Sequence, residues 1–291
     1  MGWAVLIDTH PHVMTAPSSR YPFAPVGDRQ SAWSRGIELD GAAFAAMMRA
    51  AGVAKAALVQ TSTVYGFDNR FLADAVASRP GTFAGVCSVD ALAGDAPGQL
   101  SYWIRERGLS GVRLFAAAAT GVLFEVDDPR LDAFWLRARE LALPVDLQVR
   151  YPSIAAVRRV LGRYPSVRVV LDHLGGAPVT GGPPYRAAAG LLELAECDRV
   201  HVKFANHNLD AADEADGSTA EGFLEHLVAA FGADRVLWGS NFPNTFGKSP
   251  ATAATYTAMV SRVLGTASRL GQDVAAQLLG GTAQGLYAGL A

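Results

Sequence analysis

The segment VRVVLDH (167–173) decides the fold, because it is a short run rich in Val and Leu that ends in two polar residues. Runs of this kind are typical of strands buried in a parallel sheet. The chain contains eight of them, at 5–10, 56–61, 82–89, 111–115, 144–149, 167–173, 200–204 and 236–239. Helical patterns lie between and after them, at 41–51, 69–78, 98–107, 129–141, 153–163, 185–195, 219–231, 251–264 and 273–279.

Eight strands that alternate with helices predict an α/β fold, the (β/α)8 TIM barrel. A doubly wound open sheet is the alternative, but no GxGxxG motif follows the first run. No linker divides the chain, so we expect one domain over residues 1–291. The long predicted loops at 13–40, 175–184 and 205–218 follow the C-terminal ends of strands, where barrel active sites are built.

The composition limits the class of partner. Lys and Arg number 25 against 27 Asp and Glu, a net charge of −2, and no long basic run occurs, so a nucleic-acid partner is not expected. The two cysteines, Cys87 and Cys197, are too few for a disulfide framework. The N-terminus does not resemble a signal peptide, and no apolar stretch is long enough for a membrane span. We therefore expect a cytoplasmic protein without a membrane partner, and a homo-oligomer remains open.

Candidate catalytic side chains follow the first and sixth strands. Asp8, His10 and His12 alternate, so in an extended strand all three would point to the same side. His173 ends the sixth strand before two glycines, which let a backbone approach a ligand closely. Three imidazoles at one barrel face can bind a metal or act as acid, base and oxyanion donor. The alternative is that each histidine only satisfies local backbone groups.

Candidate substrate-binding cations lie on the middle strands. Arg113 in GVRLF and Arg150 after VDLQV could hold a carboxylate through the planar fork of a guanidinium. A surface or salt-bridged arginine is the alternative for each. Lys203 in HVKF is predicted to point inward, where a structural pair with Asp146 or Asp172 is equally consistent with the pattern.

Six motifs together resemble the amidohydrolase-related family, in the order in which they occur along the chain. They are DTHPHVM (8–14), VQTSTVYGFDN (59–69), GVRLF (111–115), VVLDHLGG (169–176), HVKF (201–204) and VLWGSNFPN (236–244). They look most like the branch of metal-independent lactonases that 2-pyrone-4,6-dicarboxylate lactonase typifies. The resemblance implies a barrel with the substrate over its C-terminal face, and a pocket lined by the region after the second strand, which contains Thr61 and Tyr65.

The same resemblance assigns catalytic roles. His10 and His12 match the family's HxH pair and His173 its strand-6 histidine, but Asn241 lies where the family usually has an aspartate that activates water. An amide has no titratable proton and cannot serve as a general base. The base would then be His173, His12 or His207, and Asn241 would orient water or donate to an oxyanion.

The expected cofactor and function depend on where this chain differs from the residue pattern of the family. Gln148 or Arg150 occupies the region where metal-dependent relatives place a histidine, so no cofactor is favoured; zinc, if bound, would take His10, His12 and His173. We expect a hydrolase of a small carboxylate-bearing cyclic ester or related acyl compound, in the catabolism of aromatic or cyclic compounds. The alternatives are a metal-dependent decarboxylase or hydratase of an aromatic or unsaturated acid, and a ligand-binding or inactive relative.

Overall fold

The computed structural model describes residues 5–118 and 121–291, and eight parallel strands form its centre. The strands pair in chain order: β1 (Ile7–Asp8), β2 (Lys55–Val59), β3 (Phe83–Ser88), β4 (Gly111–Phe115), β5 (Pro144–Gln148), β6 (Arg168–Leu171), β7 (Val200–Phe204) and β8 (Val236–Trp238). The backbone N–H and hydroxyl of Thr9 both donate to the Trp238 carbonyl, at 3.2 and 2.5 Å, which joins β1 to β8. The predicted (β/α)8 barrel is confirmed.

The helices surround the barrel and cover its ends. They are α1 (Gly41–Ala50), α2 (Ser62–Tyr65), α3 (Arg70–Ala77), α4 (Ala96–Ser101), α5 (Asp132–Glu140), α6 (Ile154–Arg163), α7 (Ala189–Leu192), α8 (Asn206–Glu214), α9 (Ala220–Phe231), α10 (Ala253–Ser268), α11 (Gln272–Ala276) and α12 (Thr282–Leu286). No helix among the described residues is both long and apolar enough to cross a bilayer.

The structure differs from the sequence prediction at several elements. The segment 205–218 was expected to be a loop but contains α8, whose start is capped because the Asn208 side chain accepts a hydrogen bond from the Ala205 backbone N–H at 2.9 Å. The helix expected at 98–107 begins at Ala96 and changes to a π-helical turn at Tyr102–Glu106. β1 contains two residues rather than six, because the chain bends after Asp8.

Side chains inside the barrel change from apolar to polar along the strands. The apolar layer contains Ile7, Val59, Val86, Val170 and Leu237, with Tyr287 and Leu290 of the C-terminal segment packed against it. Burial of each such side chain contributes roughly 1.5 to 3 kcal/mol. The charged residues of the interior follow nearer the C-terminal ends of the strands, so the candidate site rests on a fully packed base.

The long segment between β1 and α1 is held at its base. Met14 and Leu39 exchange two backbone hydrogen bonds, of 2.9 and 2.8 Å. This pairing closes the segment into a loop over the C-terminal face of the barrel, and the loop contributes Ser31 and Trp33 to the cavity described next.

Candidate active site

One cavity of about 270 Å³ lies over the C-terminal ends of the strands. Its walls combine imidazoles, hydroxyls, amides, one guanidinium and aromatic rings. The lining residues are His12, Ser31, Trp33, Thr61, Ser62, Thr63, Arg113, Phe115, Ala117, Gln148, His173, His207, Asn241, Asn244 and Phe246. Among the described residues, no Asp or Glu belongs to this lining.

His12 is buried in the wall of this pocket in a defined tautomer. Its Nδ1 lies 2.9 Å from the backbone oxygen of Val59, which can only accept, so Nδ1 carries the proton and Nε2 has a free lone pair. The Asn241 side chain lies next to this imidazole and favours its protonated form. Burial, reinforced by the charge of Arg113, lowers the pKa of His12 to about 4. The ring is therefore neutral at pH 7.

Asp8 does not share the direction of His10 and His12, and the expectation that all three point to one side is wrong. Its Oδ1 accepts hydrogen bonds from the backbone N–H of His10 at 3.2 Å and of Ser240 at 2.8 Å, and its Oδ2 accepts from the Tyr256 hydroxyl at 3.0 Å. These donors draw the carboxylate toward α10, and the chain bends between Asp8 and His10. Asp8 therefore fastens β1 to β8.

His10 lies behind the pocket wall, against charged residues of the barrel interior. Its Nδ1 is 3.1 Å from Asp172 Oδ1 and 3.3 Å from Lys203 Nζ. Its Nε2 is buried and has no hydrogen-bond partner among the described residues. Burial lowers the pKa of His10 well below its usual value despite the nearby carboxylate of Asp172. His10 is therefore a neutral ring at pH 7.

His173 and His207 continue the row of imidazoles across the pocket. The His173 ring centre is 4.6 Å from that of His10 and 5.0 Å from that of His207. His173 has a left-handed backbone (φ 51°), and its Nδ1 is buried without a partner within the described part of the chain. Burial lowers the pKa of both rings, that of His207 to about 4. The structure thus brings together the histidines that the sequence singled out.

Asn241 occupies a position that suits its residue type. Its backbone is left-handed (φ 60°), a region that Asn and Asp tolerate better than most residues. Gly239, two residues earlier, is required for a different reason: a Cβ there would lie 2.4 Å from the Cβ of His10. The turn after β8 therefore presents Asn241 next to His12 only because β1 and β8 approach each other closely.

Of the three candidate cations, only Arg113 lines the pocket. Its Nε donates to Asp172 Oδ2 at 2.8 Å and one Nη to Gln148 Oε1 at 2.5 Å. Arg113 is therefore both salt-bridged and part of the pocket lining. A guanidinium has five N–H donors, which leaves some for a ligand. Lys203 is fully buried beneath the pocket and paired with both Asp146 and Asp172. Arg150 is exposed and outside the lining.

Some of the residues after β2 line the pocket, and others are buried outside it. Tyr65 is buried and outside the lining, because its hydroxyl donates to the Thr15 backbone oxygen at 3.0 Å and accepts from the Thr15 N–H at 2.8 Å. Thr61 reaches the pocket, but its hydroxyl donates to the Val13 oxygen at 2.9 Å. The hydroxyl of Ser62, in contrast, has no partner among described residues and lines the cavity.

Sequence reasoning did not assign several lining residues, above all Ser31, Asn244 and Phe246. Phe246 packs its ring 4.5 Å from that of His207, and Trp33 lies 5.5 Å from His12. Both aromatic residues come from long loops, whose path the sequence pattern does not define. In the sequence, only their positions after the C-terminal ends of β1 and β8 indicate that these residues lie on this face of the barrel.

Two groups of side chains contain residue types that can bind a metal ion. His10, Asp146 and Asp172 bring three ligand atoms within 4.8 Å of one another, the single such group among residues 5–118 and 121–291. Lys203 Nζ, however, lies 2.5 Å from Asp146, 3.1 Å from Asp172 and 3.3 Å from His10, so an ammonium fills this position. The three histidines expected to hold zinc do not form so close a group. With Lys203 in place, the group formed by His10, Asp146 and Asp172 does not fit a divalent metal, because the ammonium already occupies the position between their ligand atoms.

The chain is similar to known proteins over most of its length. Residues 7–289 match the model of the amidohydrolase family Amidohydro_2. The L-fucono-1,5-lactonase of Burkholderia ambifaria is 29% identical over 251 residues, which cover 83% of this chain and 82% of that protein.

Two solved structures share the fold over almost the whole chain. A Pseudomonas putida protein whose inferred activity is that of a 2-pyrone-4,6-dicarboxylic acid hydrolase has a TM-score of 0.78 at 24% identity and covers 98% of each chain. A zinc-bound amidohydrolase from Burkholderia multivorans has a TM-score of 0.73 at 25% identity, with 98% of this chain and 99% of that one covered. With the family model matching nearly from end to end, the chain belongs to the amidohydrolase family.

Proposed function

We propose that this protein hydrolyses a small lactone. The observation that carries the proposal is the convergence of neutral His12, Asn241 and the guanidinium of Arg113 on one pocket. Ester hydrolysis needs a group that takes a proton from water, donors for the developing oxyanion, and a means of orienting the substrate. The similarity to a curated lactonase over more than four fifths of the chain supports the same reaction class.

His12 is the general base in this proposal. Its Nδ1–H is held by Val59, so Nε2 is free to take the proton of an attacking water. The Asn241 amide, which lines the same cavity beside this ring, orients that water and replaces the aspartate that the family resemblance leads one to expect. His173 and the free hydroxyl of Ser62 line the same cavity and act as donors to the carbonyl oxygen.

Arg113 selects the substrate. Among the described residues it is the one guanidinium that lines the cavity, and its remaining donors can bind a single carboxylate. The other lining groups, including Ser31, Thr63, Gln148 and Asn244, are neutral hydrogen-bonding side chains that suit ring hydroxyls. A volume of about 270 Å³ accepts a compact monocyclic lactone. We therefore propose a lactone with at most one carboxylate and several hydroxyl or carbonyl oxygens.

We further propose that the reaction needs no metal. The ammonium of Lys203 already occupies the position between His10, Asp146 and Asp172 that a metal ion would take. The first experiment is turnover of a panel of lactones, with and without a carboxylate, before and after chelation. Elemental analysis of the same preparation measures the metal content. We expect lactone hydrolysis that survives chelation.

The alternatives give different results in the same experiment. Activity on aromatic acids that is lost with a stoichiometric metal would identify a decarboxylase or hydratase and contradict the proposal. A pocket that binds lactones without turnover, and gains hydrolysis in Asn241→Asp, would identify a binding protein that lacks its base. Cytoplasmic location and the oligomeric state stay predictions.

A further inference from the structure

A buried group of charges lies directly beneath the active-site pocket, and the proposed reaction does not use it. It consists of Lys203 on β7, Asp146 on β5, Asp172 after β6 and His10 after β1, which we call the ammonium cluster. All four side chains are buried from solvent. Lys203 Nζ contacts each of the other three, at 2.5 Å (Asp146 Oδ2), 3.1 Å (Asp172 Oδ1) and 3.3 Å (His10 Nδ1).

Every carboxylate oxygen of the cluster has a partner. Asp146 accepts from the Tyr287 hydroxyl, 2.8 Å from Oδ1 and 3.1 Å from Oδ2, in addition to Lys203. Asp172 accepts from Arg113 through its Oδ2 at 2.8 Å and from Lys203 through its Oδ1 at 3.1 Å, and the same Oδ1 lies 3.1 Å from His10 Nδ1. Two carboxylates, one ammonium and one guanidinium sum to zero charge. A buried ionic group is tolerated only when paired and hydrogen-bonded in this way.

The three atoms around Lys203 Nζ are the kinds of ligand that hold zinc or manganese, and they lie within 4.8 Å of one another. We propose that Lys203 is a built-in cation, whose ammonium takes the position of a divalent metal in the ammonium cluster and prevents one from binding there. This inference does not depend on the substrate of the enzyme, so it stands or falls separately from lactone hydrolysis.

Charge and geometry support the exclusion. A metal ion would need, at roughly 2.0 to 2.2 Å, the same oxygen lone pairs that Lys203 already occupies. It would also place two positive charges beside the ammonium in a region buried from solvent, where repulsion between like charges is large. Burial by itself would lower the pKa of Lys203, but the two carboxylates raise it, so the lysine keeps its proton at neutral pH.

Removing the ammonium should convert the cluster into a metal site. In Lys203→Ala the oxygens of Asp146 and Asp172 and the Nδ1 of His10 lose their common cation, and the shortened side chain leaves room for an ion. We expect Lys203→Ala to bind one more equivalent of zinc than the wild-type enzyme, measured by calorimetric titration. Cobalt, titrated in the same way, should give a visible absorption band in the variant alone. The double variant Lys203→Ala/Asp146→Asn should lose the added equivalent.

A measurement on the wild-type protein keeps the test valid if these variants do not fold. Crystals of the wild-type enzyme soaked in zinc chloride should show no anomalous peak between His10, Asp146 and Asp172 at the zinc absorption edge. A peak there would overturn the proposal, as would a folded Lys203→Ala that binds no additional zinc or cobalt.

Discussion

The imidazole of His12 donates its Nδ1 proton to the backbone oxygen of Val59 across 2.9 Å, and this single contact decides which ring nitrogen faces the pocket. Val59 is the last residue of β2, so a rigid barrel strand fixes the ring. The consequence is a neutral histidine with its Nε2 lone pair next to Asn241, in a chain that lacks the expected carboxylate. This arrangement determines the expected effects of substitutions at His12 and Asn241.

Replacing His12 should affect turnover more than binding. In His12→Gln the side-chain amide can still donate to Val59 but cannot take a proton from water. We expect kcat to fall by about a hundredfold or more, the usual contribution of a general base, with KM changed less than about threefold. His201→Gln is the matched control, because His201 is a histidine of the barrel outside the pocket lining. Equal effects of the two substitutions would contradict a catalytic role.

The activity should be independent of pH over a wide acidic range. A base with a pKa of about 4 stays unprotonated well below neutrality, so kcat/KM should be flat from pH 8 to about pH 5 and decline only near pH 4. The measurement is the pH profile of kcat/KM in buffers of constant ionic strength. A limb near pH 6.5, the pKa of a solvated histidine, would show that His12 is not the base.

Asn241→Asp should move that acidic limb upward. A carboxylate beside the His12 ring favours the protonated imidazole and should raise its pKa by about 1 to 3 units. The left-handed backbone of residue 241 accepts aspartate, so we expect the variant to fold. The check is the pH profile of the variant beside that of the wild-type enzyme. Coincident profiles would mean that residue 241 does not act on His12.

Arg113→Lys should weaken binding of carboxylated lactones selectively. Lysine keeps the charge but loses the planar fork, so KM for a carboxylated lactone should rise about tenfold, while KM for an uncharged lactone should change little. Arg150→Lys is the matched control, because Arg150 is exposed and does not line the cavity. A uniform rise for charged and uncharged lactones would indicate that Arg113 acts only through Asp172 and Gln148.

The folded state should lose stability in mild acid. The pKa of His12 is about 4 in the folded protein and about 6.5 in the unfolded chain, so between these values only the unfolded chain takes up the proton. Stability therefore decreases as the pH falls from 6.5 to 4, by on the order of 3 kcal/mol for this group. Urea unfolding at pH 7 and pH 4.5 measures the loss. His12→Gln should show a smaller loss, and an unchanged one would contradict the assigned pKa.

The strand pattern was sufficient to predict the barrel and the face that carries the site. Eight apolar runs that alternate with helices commonly form a closed parallel barrel. The residues at the C-terminal ends of its strands then lie on one face. His12, His173 and Arg113 could be named for that reason, whereas Asn241 was named from the family resemblance. The register of β1 could not be predicted, because the bend after Asp8 depends on contacts with Ser240 and Tyr256, far away in the sequence.

The sequence by itself thus determined the fold and the residue types at the strand ends, because these depend on local patterns of hydrophobicity. Only the tertiary structure decided their roles. Lys203 and Arg113 have the same charge and similar places on their strands, yet one is sealed beneath the pocket by Asp146 and Asp172 and the other opens into it. That difference arises from which opposite charges neighbouring strands supply, and distant segments of the chain become neighbours only in the closed barrel.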